Sequence, residues 1–226
     1  MSKLICDSSS LISLGNICAL GILPYLKEKH NTEFIVPHSV KEEIVNKPMK
    51  TKEFKLKAIK FRELIDKGII EVEKTEKAKK KSEQIKKDSN QLLINQKNKK
   101  PIEIVHEGEA RTIALLKELN THNLLIDERT TRLLVENINQ LKEYIQSESK
   151  IDIEINDQKK KKIREETKEI NVMRSSEIIA IAYEENYFPE KNREILEGSL
   201  YAAKFAGCGI KNKEIKDYLH LIEGKR

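Results

Sequence analysis

Several residue types are scarce in this chain of 226 residues, and each shortage excludes a class of protein. There are only three cysteines (Cys6, Cys18 and Cys208), odd in number and widely spaced, so the sequence has neither a disulfide framework nor the spacing of a zinc site. Such cysteine usage fits a reducing compartment, and we expect a cytoplasmic protein. No run approaches the roughly 18 apolar residues of a membrane span, and no membrane association is expected.

Three further absences argue against particular kinds of binding site and against a signal peptide. Tryptophan is missing, and the few aromatic residues do not interleave with the lysines, which argues against a base-stacking platform for single strands. No glycine-rich phosphate loop follows the first apolar run, which disfavours a nucleotide-binding protein. That first run has no basic segment before it and leads into Asp7, so no signal peptide is expected.

The net charge of +6 is distributed unevenly along the chain. Residues 74–100 contain ten lysines and three acidic residues, so this segment carries +7 and the rest of the chain −1. We interpret it as an insertion that forms a helical hairpin or a mobile segment. Its lysines could bind a phosphate backbone or simply be solvated, and the sequence leaves both readings open. A second charged insertion, 146–169, includes four consecutive lysines at 159–162.

Short apolar runs alternate with helical patterns along most of the chain. The runs KLIC, EFIVP, IIEVE, HNLLID and EINVM predict five strands, with helices between them. Such alternation indicates an α/β fold with a mostly parallel sheet covered by helices on both faces. We expect a single domain over residues 1–226, with a helical extension at 190–226.

Local signals predict where several helices begin and end. The stretch SSLISLGNICALGIL is predicted as one helix with its N-cap among residues 8–10, broken by Pro24. Ser39 and Glu42 have the spacing of a capping box for the next helix. Gly68 is predicted to end the helix KLKAIKFRELIDKG.

Acidic residues recur at the ends of the predicted elements. Asp7 ends one apolar strand and Asp127 ends another, while Glu43 and Glu109 lie near the starts of helices. Because the carboxyl ends of parallel strands meet at one edge of a sheet, these acids could converge there. Carboxylate oxygens suit Mg²⁺ or Mn²⁺, and two neighbouring carboxylates favour a cation between them. Each acid alone could equally stabilise a helix N-terminus.

Four segments carry a resemblance to a known family. LICDSSSLISL, IVPHSVKEEIV, EGEARTIALLKEL and LLIDERTTRLL occur in the order, and at roughly the spacing, of a PIN domain of the archaeal and bacterial branch. The resemblance covers about residues 1–145, with 74–100 as an insertion, and continues more weakly over 170–210. It implies a PIN-like parallel sheet and a ribonuclease that depends on Mg²⁺ or Mn²⁺.

The resemblance also implies roles for individual residues. Asp7, Glu109 and Asp127 match the acids that hold metal, and Glu43 matches an acid that binds metal or water. Ser9 matches the small hydroxyl residue that hydrogen-bonds the first aspartate, and it is counted with the substrate-binding residues.

Some matches to the family pattern are looser. The glutamate that matches the second helix of the family could be Glu42 instead of Glu43. The family often has a further acid or hydroxyl after the fifth strand, and the segment MRSSE at 173–177 supplies candidates for it. Arg129, Arg111 or Arg132 could hold flanking phosphates, although each could instead form a surface salt bridge.

We therefore expect a metal-dependent endoribonuclease that acts on RNA. One alternative is a VapC-type toxin with an antitoxin partner, which the length of the chain and its insertion disfavour. Another is a non-catalytic RNA-binding or ribosome-assembly factor, which would not need all four acids. Small residues at Ala202, Ala203, Ala206 and Gly207 favour close helix packing, so a homodimer is possible.

Overall fold

A computed structural model of the chain describes residues 2–73, 77–190 and 192–223. Residues 74–76 of the predicted first insertion lie outside the described residues, as do Lys191 and residues 224–226 of the predicted C-terminal extension. The described ranges form seven strands and twelve α-helices.

The strands are β1 (Ser2–Cys6), β2 (Thr32–Pro37), β3 (Ile70–Glu73), β4 (Leu93–Asn95), β5 (Asn123–Leu125), β6 (Ile153–Ile155) and β7 (Asn171–Met173). The helices are α1 (Ser8–Asn16), α2 (Ile22–His30), α3 (His38–Lys41), α4 (Lys55–Asp66), α5 (Lys77–Ser89), α6 (Glu107–Glu118), α7 (Arg129–Glu136), α8 (Ile138–Ser149), α9 (Asp157–Thr167), α10 (Ser175–Glu184), α11 (Arg193–Ala206) and α12 (Asn212–Glu223). A π-helical turn (Glu42–Asn46) and a 3₁₀ turn (Pro48–Lys50) follow α3.

The central feature of the fold is a five-stranded parallel sheet flanked by helices, with the strand order β3-β2-β1-β5-β7. All five strands predicted from the apolar runs belong to this sheet, so the predicted PIN-like α/β fold is confirmed. Of the helices in the described ranges, none has both the length and the apolar content that crossing a membrane requires.

The chain divides into two compact units. The first unit contains Met1–Glu73, Leu125–Glu128 and Met173–Arg226, and the second contains Lys74–Leu124 and Arg129–Val172. Counted from the sequence, the first unit has no net charge and the second unit has a net charge of +6. The expectation of a single domain stays a prediction.

The first helical region differs from its prediction. The single helix expected there is two helices, because α1 ends at Asn16 and α2 begins at Ile22. Cys18 lies between them with φ 58°, a left-handed conformation that interrupts a helix. Pro24 does not break a helix but is the third residue of α2, where a backbone N–H would have no partner within the helix anyway. The N-cap of α1 is Asp7, not one of the serines.

The start of the next helix, α3, also differs from its prediction, whereas the end of the helix after it, α4, is as predicted. Ser39 lies inside α3, whose N-cap is Pro37, so the predicted capping box is wrong. The Ser39 hydroxyl is buried and has no hydrogen-bond partner among the described residues. Gly68 has φ 68° just after α4, as predicted for a residue that ends a helix.

The two charged insertions form structure together within the second unit. Strand β4, from the first insertion, pairs antiparallel with β6, from the second. In its described residues, 77–100, the first insertion contains one helix, α5, followed by a strand, so the predicted helical hairpin is wrong. Ile85, Leu92 and Leu93 are buried, which explains why this lysine-rich segment folds.

Most of the described residues after 190 are helical, as predicted, and they form α11 and α12. Leu196 and Leu200 of α11 and Leu219 of α12 are buried in the same apolar cluster as residues of β1, β2 and α10. The two helices therefore contribute to the core of the first unit.

Candidate active site

Asp7 is a buried carboxylate at the carboxyl end of β1, and it is 3% exposed. Its Oδ2 accepts hydrogen bonds from the backbone N–H of Ser9 at 2.9 Å and from the Ser9 hydroxyl at 2.7 Å. Asp7 is thus the N-cap of α1. The sequence had allowed two roles for this acid, a helix cap and a metal ligand. A carboxylate offers about four acceptor positions, so capping does not prevent the same group from binding a cation.

Ser9 links Asp7 to the end of the neighbouring strand. The Ser9 hydroxyl oxygen accepts hydrogen bonds from the backbone N–H groups of Asp127 at 3.1 Å and Glu128 at 3.2 Å. The Asp7 N–H donates to the carbonyl of Leu125 at 2.9 Å. The hydrogen bond between Ser9 and the first aspartate, implied by the resemblance, is present, and the same hydroxyl also fixes the backbone that carries the second aspartate.

Asp127 follows β5 and is 1% exposed. Its Oδ1 accepts the backbone N–H of Ser175 at 2.7 Å, and its Oδ2 accepts the Ser175 hydroxyl at 2.7 Å. Ser175 is the first residue of α10. Both carboxylates are therefore held by a serine in the first turn of a helix, where a helix dipole favours negative charge. Ser175 was one of several loose candidates in the segment MRSSE, and the structure distinguishes it from the others.

Two buried thiols lie beside these carboxylates. Burial raises the pKa of Cys6, and the charge of Asp7 raises it further. Burial likewise raises the pKa of Cys208, with an additional contribution from the charge of Asp127. Both thiols stay protonated at neutral pH, so neither has the thiolate character of a cysteine nucleophile.

Glu177, the acid in MRSSE, belongs to a separate cluster. Its Oε1 accepts hydrogen bonds from the Arg174 Nη2 at 2.6 Å and the Tyr218 hydroxyl at 2.7 Å. Arg174 also forms an ion pair with Glu214, Nη1 to Oε1, at 2.9 Å. Burial alone would raise the pKa of Glu177, but the hydrogen bond and charge of Arg174 lower it. These contacts tie α10 to α12.

Glu42 and Glu43 both lie in the π-helical turn after α3. Glu42 accepts a hydrogen bond from the Asn46 amide and lies 3.4 Å from the His38 Nε2. Glu43 is half-buried, and its side chain forms no hydrogen bond or ion pair with any described residue. Of the two glutamates, only Glu42 therefore has a side chain that contacts another described residue through a hydrogen bond or an ion pair. A single π-helical turn within a helix is rare and is often found at functional sites.

Glu109 and Arg129 belong to the second unit. The Glu109 Oε2 accepts the backbone N–H of His106 at 2.8 Å, which is half of a capping box at the start of α6. The guanidinium of Arg129 lies 4.1 Å from the ring centroid of Tyr144, in cation–π contact. Arg111 and Arg132 form salt bridges with Glu107 and Glu136 within their own helices.

The donor atoms suit a hard divalent cation, but a full ligand set is not assembled in the described part of the chain. Asp7 and Asp127 offer carboxylate oxygens, the ligands that Mg²⁺ and Mn²⁺ prefer. Within the described ranges, no group of three or more His, Cys, Asp and Glu residues is close enough to hold a metal ion. The convergence of four acids stays a prediction.

A family model described as a PIN domain matches residues 3–142, which is more than half of the chain. The chain therefore belongs to the PIN-domain family. PIN domains are generally nucleases and typically use divalent metals. A search of curated proteins found no match.

Proposed function

We propose that the protein is a cytoplasmic, metal-dependent endoribonuclease that hydrolyses phosphodiester bonds of RNA. The observation that supports it is the pair of buried carboxylates, Asp7 and Asp127, at the carboxyl ends of the neighbouring strands β1 and β5. Ser9 connects them through its hydroxyl. Burial of two like charges at one edge of a sheet is costly, and a bound cation would offset that cost.

The proposal gives each acid a role. Asp7, Asp127 and Glu109 would hold Mg²⁺ or Mn²⁺, and Glu43 would orient water or help to hold an ion. A divalent cation in such a site stabilises negative charge on a phosphoryl group and lowers the pKa of a bound water. Glu43, whose side chain has no partner among the described residues, would be the residue that accepts a proton from an attacking water.

The serines would act as positioning residues. Ser9 and Ser175 each donate both a backbone N–H and a hydroxyl to one aspartate, which fixes the direction of the carboxylate. Because the Ser9 hydroxyl is already engaged on three sides, its contacts fit positioning better than the predicted contact with substrate. Arg129, exposed at the start of α7, is the proposed contact to a flanking phosphate.

Cleavage of an RNA pool with structured and single-stranded members tests the proposal. Wild type, Asp7→Asn and a matched control, Asp66→Asn, would each be assayed with Mg²⁺, Mn²⁺ and EDTA. Asp66 is exposed, and its side chain has no hydrogen bond or ion pair with any described residue. We expect cleavage with metal by wild type and the control, and loss of at least a hundredfold in Asp7→Asn. Cleavage in EDTA, or by Asp7→Asn at the wild-type rate, would overturn the proposal.

One observation favours a second candidate, a non-catalytic RNA-binding or ribosome-assembly factor. Asp7 caps α1, Asp127 accepts two hydrogen bonds from Ser175 at the start of α10, and no ligand set of three lies within the described residues. This candidate predicts that wild type binds RNA but cuts none with either metal. The antitoxin partner and the homodimer stay predictions.

A further inference from the structure

The two lysine-rich helices of the second unit lie side by side. Lys81 of α5 forms a salt bridge with Glu166 of α9, and Asp88 of α5 forms one with Lys159 of α9 at 2.5 Å. Since the residue numbers rise along α5 while those of their partners fall along α9, the helices run antiparallel. Two lysine runs that are far apart in the sequence are thereby joined on one surface.

These two helices account for the excess positive charge of the whole chain. They contain eleven Lys and Arg and five Asp and Glu residues, a net charge of +6 that equals the net charge of the protein. Two of the five acids, Asp88 and Glu166, are used in the contact between the helices. Asp88 is 4% exposed, so its carboxylate contributes little to the outer surface.

Four further lysines belong to this surface, of which Lys162 also interacts electrostatically with Asp88. Lys80 and Lys87 lie two turns apart on α5, and Lys161 and Lys162 are consecutive on α9. All four are exposed, and none forms a salt bridge with a described residue. The remaining acids of the two helices, Glu83, Asp157 and Glu165, leave this surface with a clear excess of positive charge.

The chemistry of this surface fits a polyanion better than a lipid membrane. The apolar residues Ile85 and Ile163 are buried, so neither helix presents an apolar face that could enter a bilayer. Exposed lysines are the groups that contact phosphate oxygens along a nucleic acid strand.

We propose that Lys80, Lys87, Lys161 and Lys162, here called the α5–α9 surface, bind the phosphate backbone of RNA. The choice of RNA rests on the proposed ribonuclease function, whereas the choice of a polyanion rests on charge alone. The surface would add affinity that does not depend on base sequence, because phosphate contacts carry no sequence information.

The test is the affinity for a fluorescently labelled single-stranded RNA 20-mer of mixed sequence, measured by anisotropy at several salt concentrations. All proteins would carry Asp7→Asn and be kept in EDTA, so that the RNA stays intact. The test variant replaces the four lysines of the α5–α9 surface with Gln. The control replaces four exposed, unpaired lysines of the first unit with Gln and has the same net charge: Lys52, Lys60, Lys67 and Lys216.

We expect the test variant to bind at least tenfold more weakly than the control at moderate salt. Its slope of log K against log[salt] should be smaller in magnitude by about 2 to 3, since each phosphate contact to a single strand contributes about 0.7. Equal affinity and slope in the two variants would overturn the proposal. So would a loss confined to vesicles of anionic phospholipid, with RNA binding unchanged.

Failure of this proposal can be told apart from failure of the proposed function. If wild type cuts RNA and the two lysine variants bind it equally, only the α5–α9 surface is refuted. If the test variant loses RNA affinity but wild type cuts no RNA with either metal, the proposal that the α5–α9 surface binds RNA is supported and the ribonuclease proposal fails. Deleting residues 74–100 would be a poor substitute, because it removes the buried Ile85, Leu92 and Leu93.

Discussion

The hydroxyl of Ser9 lies 2.7 Å from the Oδ2 of Asp7 and donates its proton to that carboxylate. The same oxygen accepts the backbone N–H groups that follow β5, so one small side chain orients the first aspartate and fixes the backbone of the second. The arrangement makes Ser9 a structural requirement of the candidate site.

Replacing Ser9 with Ala should therefore destabilise the fold. The change leaves two backbone N–H groups without their acceptor and removes one donor from Asp7, for a cost of about 1–3 kcal/mol in the free energy of unfolding. Urea denaturation would measure this loss. Ser8→Ala is the matched control, because the Ser8 hydroxyl has no hydrogen bond with any described residue. A loss no larger than that of the control would contradict the bridging role.

Glu109→Gln separates capping from metal binding. A glutamine side chain can still accept the His106 N–H, so the capping box survives and the free energy of unfolding should change by less than about 0.5 kcal/mol. If Glu109 is a metal ligand, cleavage of RNA should nevertheless fall at least tenfold. Glu109→Ala should lose both stability and activity. Wild-type cleavage by Glu109→Gln would show that Glu109 only caps α6.

The cluster around Glu177 predicts a pH-dependent stability. Because the pKa of Glu177 is lowered in the folded protein, its contribution is present at neutral pH and is lost as the pH falls through that lowered pKa. Glu177→Gln should thus lower the free energy of unfolding by about 2 kcal/mol at pH 7, where it leaves Arg174 with a weaker partner.

The difference between Glu177→Gln and wild type should shrink as the pH falls below the ordinary pKa of a glutamate, about 4.3, because the unfolded wild type then binds a proton that the folded protein does not. Denaturation at pH 7 and pH 3.5 would check this. The exposed Glu53, changed to Gln, is the control and should show little difference at either pH. A difference that grew as the pH fell would have the wrong sign for this account.

The ion pair between Asp88 and Lys159 should stabilise the second unit selectively. Asp88→Asn leaves a mostly buried lysine without its partner, and we expect a loss of about 1–3 kcal/mol. Hydrogen exchange should show faster exchange in α5 and β4 than in wild type, with β1 and β2 little changed. The exposed pair Lys99–Glu154 supplies the control, since Glu154→Gln should cost less than about 1 kcal/mol. Equal losses would contradict the prediction.

The strands were predictable because each is a short apolar run bounded by polar or turn-forming residues, as in EFIVP. The break between Asn16 and Ile22 was not, since the apolar spacing continues through it and a cysteine at positive φ has no sequence signature. The pairing of β4 with β6 joins segments about sixty residues apart, and no local signal encodes such a contact.

The candidate site was predictable in part. Asp7 and Asp127 stood out because an acid ends each apolar run, and parallel strands bring such ends together. Ser175 could not be singled out, because its contact with Asp127 exists only once α10 begins beside the end of β5. The paired lysine runs were likewise hidden, since the sequence shows two separate charged insertions.

The most direct measurement is a titration with Mn²⁺, followed by electron paramagnetic resonance of the unbound ion, for wild type, Asp7→Asn and Asp127→Asn. The account predicts saturable binding by wild type and at least tenfold weaker binding by both variants, with Asp66→Asn unchanged. No saturable binding by wild type, or equal binding by all four proteins, would contradict a metal site at Asp7 and Asp127.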